Sequence, residues 1–493
     1  MTKRMIQMIT IALFLAAFPA ALHAEEPALP PGLEDSSSQS DEPALPQGLD
    51  DGEKRQKETG GEPALPAGLG GEAGGNNAAA TDRDKADEEK FPFSGVGFWE
   101  ARGGRRFHED PWQQDTSIGE IRLQLDGTRR YGNTSVNLTI DGVFDSVADD
   151  NDIFLNQGKG WIDLRQANVA FTPLPFMDMK LGRQILTWGT GDLLFINDNF
   201  PKDWVSFFIG RDTEYLKAPS DAVKASVFTD LVNLDLVYTP QFDPDRYISG
   251  ERLSYYNTGF GRLAGRDAVV ETDRPDEVFD DEEVAARLYR TIGGYELALY
   301  YYHGFWKSPA GQTVFGKAAF PGLTVIGGSA RGVVLGGIGN IEVGYKDSRD
   351  DDEGRNPLVR NSEWRFLAGY EKDLTIISDD LTMGVQYYLE RMDDYDDYEA
   401  TLPAGMPKKD ENRHVITTRI TKLLMQQTLT LSLFAYYSPS DEDGYLRPRI
   451  DYKLTDDWQI GAGGNIFKGD KDHTFFGQLE KNSNVYAMVR YSF

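Results

Sequence analysis

The side chains that most often do chemistry are sparse in this sequence and poorly spaced for it. Its 493 residues include five histidines and no cysteine. His23 falls in an apolar N-terminal segment, and His108, His303, His414 and His473 fall at strand ends or in loops, without a matching Ser or Asp pattern. Lack of cysteine excludes disulfides, thiolate metal or haem sites, a Cys nucleophile and a lipidated N-terminal Cys. Acidic runs at Asp350–Glu353, Asp393–Asp397 and Asp441–Asp443 lack the spaced ligands of a calcium loop and read as solvated acid. The residues therefore predict no enzyme, no metal and no cofactor. What recurs instead is positive charge at alternating positions: Arg122, Lys180, Lys224, Arg287, Arg365, Arg419, Arg447, Arg449, Lys453 and Arg490 all fall on the polar phase of period-two segments.

Those segments must position the charges, and composition narrows what they are. With 79 acidic against 51 basic side chains, the formal charge of −28 argues against nucleic acid as a partner. Mean hydropathy is −0.47, yet Tyr and Phe number 23 and 27. Aromatic wealth without greasy runs suits a β-protein at a membrane interface.

The chain opens with Lys3 and Arg4, an apolar run from Met5 to Phe18, and an Ala-rich stretch to Ala24, the pattern of a secretory signal over 1–24. Leu22 sits where a cleavage site usually has a smaller residue, so the cut is placed to within a few residues. Residues 25–90 carry 17 acidic and 6 basic side chains and few large apolar ones, and read as a disordered leader in the periplasm. One octamer recurs there three times, at Glu26 to Leu33, Glu42 to Leu49 and Glu62 to Leu69. Its prolines favour an extended backbone, and Leu29, Leu33, Leu45, Leu49, Leu65 and Leu69 become apolar handles for docking a periplasmic or inner-membrane transporter partner. A duplicated spacer is the alternative.

From residue 91 to 493 short alternating segments follow one another. In Ile121, Leu123 and Leu125 the apolar set interleaves with Arg122, Gln124 and Asp126; Leu429, Leu431 and Leu433 do the same with Thr430 and Ser432. Connections alternate between short turns, such as Gly132 with Asn133, and long loops, such as Asp243 to Asp280. This predicts an all-β fold, a transmembrane antiparallel β-barrel in a bacterial outer membrane, in contact with lipid and lipopolysaccharide. The count is 18 strands, from 94–103 to 484–493, or 16 if 161–173 or 324–335 is misread. Aromatics at Phe98 and Trp99, Tyr238, Tyr300 to Tyr302 with Phe305 and Trp306, Tyr387 with Tyr388, and Tyr436 with Tyr437 are expected to form the outer girdle. The last strand ends at Tyr491 and Phe493, resembling the signal that barrel-insertion machinery reads.

With the apolar phase on lipid, the ten basic residues point into the lumen with acids such as Glu120, Asp141, Glu342 and Glu390. So much charge requires water or a plug, and a wet lumen is expected. A basic wall on the last strands could attract an anionic solute, although ion pairs bracing the barrel account for the same charges and are favoured. The segment Gly189 to Lys217 is too apolar for a solvated outer loop and is expected to fold inward as a constriction, with Asp192, Phe195, Asp198, Phe200 and Trp204 as its candidate residues. Packing over the mouth is the alternative. Arg183 falls on the lipid phase unless Gly182 bulges the strand, and residues 166 to 168 need a similar slip.

The run Leu181, Gly182, Arg183, Gln184, Ile185, Leu186, Thr187, Trp188, Gly189, its Asp-rich continuation to Asn199 and the ending Tyr491, Ser492, Phe493 resemble the porin-like and alginate-export-like outer-membrane barrels. That resemblance implies an 18-stranded passive pore for anionic polysaccharide with a basic lumen. The mixed lumen charge here supports carrying over the fold and the transport class but not the substrate. The expected role is a porin-like channel for passive or partner-coupled passage of a solute. A non-conducting barrel anchoring an envelope-spanning export system is the alternative.

Overall fold

The computed structural model describes residues 94–148 and 152–493. The signal, the leader and its six docking leucines lie outside the described residues. Eighteen antiparallel strands form one sheet. They are β1 Ser94–Arg106, β2 Thr116–Tyr131, β3 Thr134–Asp145, β4 Ile162–Leu174, β5 Met177–Ile185 and β6 Pro219–Val227. They continue as β7 Asn233–Thr239, β8 Glu283–Ile292, β9 Tyr295–Phe305, β10 Gly322–Val334, β11 Gly337–Ser348 and β12 Glu363–Asp373. The last are β13 Leu381–Met392, β14 Asn412–Leu424, β15 Leu429–Ser438, β16 Asp443–Lys453, β17 Trp458–Gly469 and β18 Asn484–Ser492. β1 pairs with β2 on one edge and with β18 on the other, from Phe98 opposite Ser492 to Arg106 opposite Asn484, so the sheet closes. Closure leaves no strand edge unpaired, which is what lets strands cross a bilayer. The terminal residue joins the ladder: the Phe493 and Gly97 backbones exchange two hydrogen bonds of 2.9 Å each.

The two expected weak strands are present as β4 and β10. Alternation sorts side chains as its period requires: Ile121, Leu123 and Leu125 face outward while Glu120 and Arg122 are buried within. The turns after β2, β4, β8 and β10 are two residues each, and most connections at the other end are long. The expected alternation breaks once, where β15 and β16 are joined by residues 439–442 only.

The expected outer girdle needs correction. Trp99 packs on Trp458 at 5.3 Å and on Tyr491 at 6.3 Å, and Trp458 begins β17 straight after a short turn. Trp99 therefore belongs to the short-turn end: β1 starts at Ser94 as expected but runs on to Arg106, which leaves the aromatic pair in its first half. Phe98 faces inward. Among the other pairs, period two sends neighbours to opposite faces: Tyr301, Tyr387 and Tyr437 are exposed outside, whereas Tyr300, Tyr302, Tyr388, Tyr436 and Trp306 are buried inside. Half of the expected girdle residues thus serve the interior.

Two register expectations resolve differently. β4 slips at Arg165, where the pairing with β3 jumps from Gln166 opposite Thr139 to Leu164 opposite Ile140, which brings both Arg165 and Asn168 inside. Gly182 has a positive φ of 107°, yet pairing continues through it, with Arg183 opposite Ala167 and Asp221. Arg183 stays on the outer phase. It is tolerated because the loop before β4 covers it: Arg183 donates to the Leu155 and Leu164 carbonyls at 2.6 and 2.7 Å and pairs with Asp221 at 2.8 Å.

Candidate functional site

The barrel is not an empty bore. Between β5 and β6, residues 186–218 turn inward and touch strands on every side. The segment contains one short helix, α1 (Trp204–Ile209), and a 3-10 turn at Thr213–Leu216. Asp203 caps α1, accepting the Ser206 N–H at 2.7 Å. Gly210 closes it at φ 96°, where a Cβ would also strike the Tyr486 ring at 2.3 Å, so only glycine fits. The five apolar side chains of this turn need cover, and inward aromatics supply it. Phe208 meets Tyr445 at 5.7 Å and Phe467 at 5.4 Å, and Phe207 and Phe208 are each 1% exposed. Burying one such ring contributes roughly 1.5–3 kcal/mol. Trp188 and Phe200 pack at 4.9 Å in a second cluster beside Tyr300 and Tyr302.

The first arm, Thr190 to Asn199, is anchored mainly by hydrogen bonds to β11, β13 and β14. The buried Glu342 carboxylate accepts N–H groups from Thr190 at 2.8 Å, Gly191 at 3.2 Å and Asn197 at 2.9 Å, and the Asn197 side-chain amide at 3.0 Å. Gln386 accepts from the Asp192 N–H at 2.7 Å and donates to its carbonyl at 2.9 Å. Arg419 grips the Asp192 carboxylate with two bonds of 2.5 and 2.7 Å.

The second arm, Gly210 to Lys217, is held by ions. Asp212 receives Arg102 at 2.9 Å, Arg449 at 2.6 Å and Arg490, from β1, β16 and β18. Burial alone would push its carboxyl up, but the three guanidinium groups outweigh it and hold it well below the ordinary carboxylate range. Arg211 forks onto Glu120 of β2, and Tyr215 donates to Asp141 of β3 at 3.0 Å. Glu214 is raised by burial and by neighbouring Asp212, and one of its oxygens has no hydrogen-bond partner among the described residues. A second loop, between β7 and β8, also reaches in: Arg246 bonds Asp163 at 2.8 Å and Asp203 at 3.1 Å.

The expected lumen cations are placed as follows. Arg122 pairs with Asp141 at 2.5 Å and lies 4.4 Å from the Tyr215 ring centre. Arg287 pairs with Glu296 at 2.8 Å, and Arg365 with Glu363 at 2.5 Å. Arg447 donates to the Arg211 carbonyl at 2.7 Å and covers Phe207, while Arg449 pairs with Asp451 at 2.7 Å as well as with Asp212. Arg490 also pairs with Glu100 at 2.7 Å. Lys180 and Lys224 stand opposite each other on β5 and β6, both half-buried. Lys453 is exposed at the short-turn end, at the mouth and not along the bore. Much of this charge is buried in ion pairs with neighbouring strands and the inserted loop, the bracing arrangement and not an open basic wall.

All five expected constriction residues lie on the inward arm or its helix. Asp192 meets Arg419, Phe195 packs on Trp204 at 6.0 Å, and Asp198 pairs with Lys202 at 2.9 Å. Phe200 joins the Trp188 cluster, and the Trp204 indole donates to Asp245 at 3.1 Å. Sequence reasoning missed Arg211, Asp212, Tyr215 and Arg246. The signal for the first two was a bare Arg–Asp pair directly after a glycine that ends an apolar run.

Two cavities flank the inserted loop. Toward the short-turn end, a small space of about 40 Å³ is lined by Asp192, Arg419, Arg331 and Glu371. At the long-loop end a basin of about 680 Å³ rests on Trp204 and Phe208.

The described residues thus form a closed 18-stranded barrel with a loop bonded across its interior, a transmembrane β-barrel fold. No family model and no curated relative matches the chain. Among solved structures, the chain is similar to OccAB4 of Acinetobacter baumannii, with a TM-score of 0.50 at 9% identity over 82% of this chain and 99% of that one. OccK11 (OpdR) of Pseudomonas aeruginosa gives 0.47 at 9% identity over 81% and 95%, and OmpF of Salmonella typhi gives 0.41 at 8% over 81% and 97%. At such identity the likeness is one of fold.

Proposed function

We propose that the chain is an outer-membrane diffusion channel whose bore is narrowed by residues 186–218. The observation that carries this reading is the loop itself. Its two arms bond to inward side chains of β1, β2, β3, β11, β13, β14, β16 and β18. A wall lined with ions and hydrogen-bonding groups suits a water-filled path beside the loop more than a sealed core. An anionic solute draws little support, because the cations expected to attract it are largely neutralised by partners. Passage is passive in this reading, and the leader octamers tether a periplasmic or inner-membrane partner near the pore.

Single-channel recording in planar bilayers tests the proposal: discrete conductance steps are expected from the full chain and from a chain lacking residues 25–90. A silent barrel would instead support the anchoring role. For the leader, a synthetic octamer should recover a partner that its Leu→Ala copy does not; equal recovery would sink the docking role.

A further inference from the structure

The basin at the long-loop end differs in chemistry from the rest of the lumen. Below it the wall is a lattice of arginines and carboxylates. Among the residues lining the basin, Glu271 and Lys317 alone carry a full charge. Its floor and sides instead present rings: Trp204, Tyr247, Tyr255, Tyr256, Phe315 and Phe475. They come from α1 and from the three long loops after β7, β9 and β17, so separate parts of the chain converge to place them around one space.

Several of these rings are fixed before anything binds. The Trp204 indole N–H is held by Asp245, Tyr255 donates to the Ala268 carbonyl at 2.7 Å, and Tyr256 packs against His473 at 5.9 Å. Phe315 is different: it is 91% exposed beside the basin, with Val314 next to it at 83%. An aromatic ring so placed, with nothing packed on it, is an uncovered contact surface. The amides of Asn257, Gln312 and Gln478 also line the basin, held by Tyr255 and Phe260, by Gly316, and by Tyr256 and Phe475, and each keeps a second N–H and a second oxygen lone pair for a ligand.

Rings interleaved with neutral amides recognise a ligand with apolar faces and many hydroxyl edges. We propose that this basin binds a neutral oligosaccharide, whose C–H faces lie on the aromatic rings and whose hydroxyls pair with the amides, ahead of the constriction at Trp204. Two observations favour a neutral sugar over a charged one. The basin offers no cluster of cations, and the acidic runs Asp350–Glu353, Asp393–Asp397 and Asp441–Asp443 lie in loops at the same end, where they repel anions. The volume of about 680 Å³ lies within the range of ligand-binding clefts and is enough for a short oligosaccharide segment. The proposal rests on the channel reading for its purpose, though the binding itself does not require conduction.

The test is titration calorimetry of the full chain in detergent with three probes: maltohexaose, an oligogalacturonate of the same length, and indole. Maltohexaose should bind saturably and at least about tenfold more tightly than the galacturonate. Phe315→Ala and Tyr256→Ala should each weaken it about fivefold or more, with the barrel's circular dichroism retained. The exposed Phe315 ring supports no packing, so its variant folds even if the other does not. Lack of maltohexaose binding, equal affinity for the galacturonate, tighter binding of indole, or unaltered affinity in Phe315→Ala would each overturn the assignment. Bilayer recordings on the same preparation separate the two readings: conductance without sugar binding removes only the basin proposal, and sugar binding to a silent barrel removes only the channel.

Discussion

The two arms of the inserted loop are fastened to the same barrel by different physics. On the first arm one carboxylate, Glu342, collects neutral N–H donors from three residues. On the second arm one carboxylate, Asp212, collects three guanidinium groups from three strands. Amide donors are short-range and cost little to desolvate, so removing their acceptor leaves only polar groups unmet. Buried guanidinium groups that lose their anion remain charged, and that is far more costly. The second arm is therefore the lock and the first arm the adjustable part.

Removing most of the first arm together with α1 should have the largest effect. Deletion of 192–209 is expected to raise single-channel conductance more than any point substitution, and an unchanged conductance would mean the loop does not narrow the path. Next comes Asp212→Ala, expected to cost about 3–5 kcal/mol because Arg102, Arg449 and Arg490 lose a shared counter-ion. Glu342→Ala is expected to cost about 1–3 kcal/mol, with faster hydrogen exchange confined to Thr190, Gly191 and Asn197. Unfolding midpoints in the same detergent compare the pair; equal losses would erase the distinction between the arms.

Acid should leave the lock closed. A carboxyl whose folded value lies below its unfolded one, about 3.9 for Asp, adds stability above that value and loses it only as pH falls through the lower folded one. Asp212 is held well below the ordinary range, so acidification from neutral to about pH 5 does not discharge it. Glu214 is raised, so its ionised form opposes the folded state and protonation on the way down relieves that strain. The unfolding midpoint should hold or rise slightly over this range; a fall that disappears in Asp212→Asn would contradict the assignment. Smallest of all is the exposed pair Arg105 with Asp115 at the rim, 2.9 Å apart, where Arg105→Ala should change stability by only about 0–1 kcal/mol.

Much of the barrel was legible because the information is local. A strand such as Leu429–Ser438 declares its two faces within ten residues, and the turn at Gly293 and Gly294 marks where the next strand returns. The inward loop was legible for a similar reason, since Phe207, Phe208 and Ile209 are too apolar to be left in water. Aromatic pairs misled because adjacent residues were assigned to one girdle when alternation sends them to opposite faces. Tyr388 lies against the interior and Tyr387 against the outside.

By itself, the sequence determined the class of fold, the number of strands and which phase of each carries charge, because period two and turn chemistry act over a few residues. It also excluded thiol chemistry outright. Only the tertiary structure decided what those charges meet. Arg102 finds the Gly210 carbonyl and Asp212 across more than a hundred residues of chain, and Arg419 finds Asp192 across 227. No local pattern encodes such partners, since they depend on how far a loop re-enters a closed barrel and which wall it reaches. For the same reason only the structure shows which partner each lumen charge takes in the lattice of matched ions, and that a basin rich in rings and poor in charge lies above it.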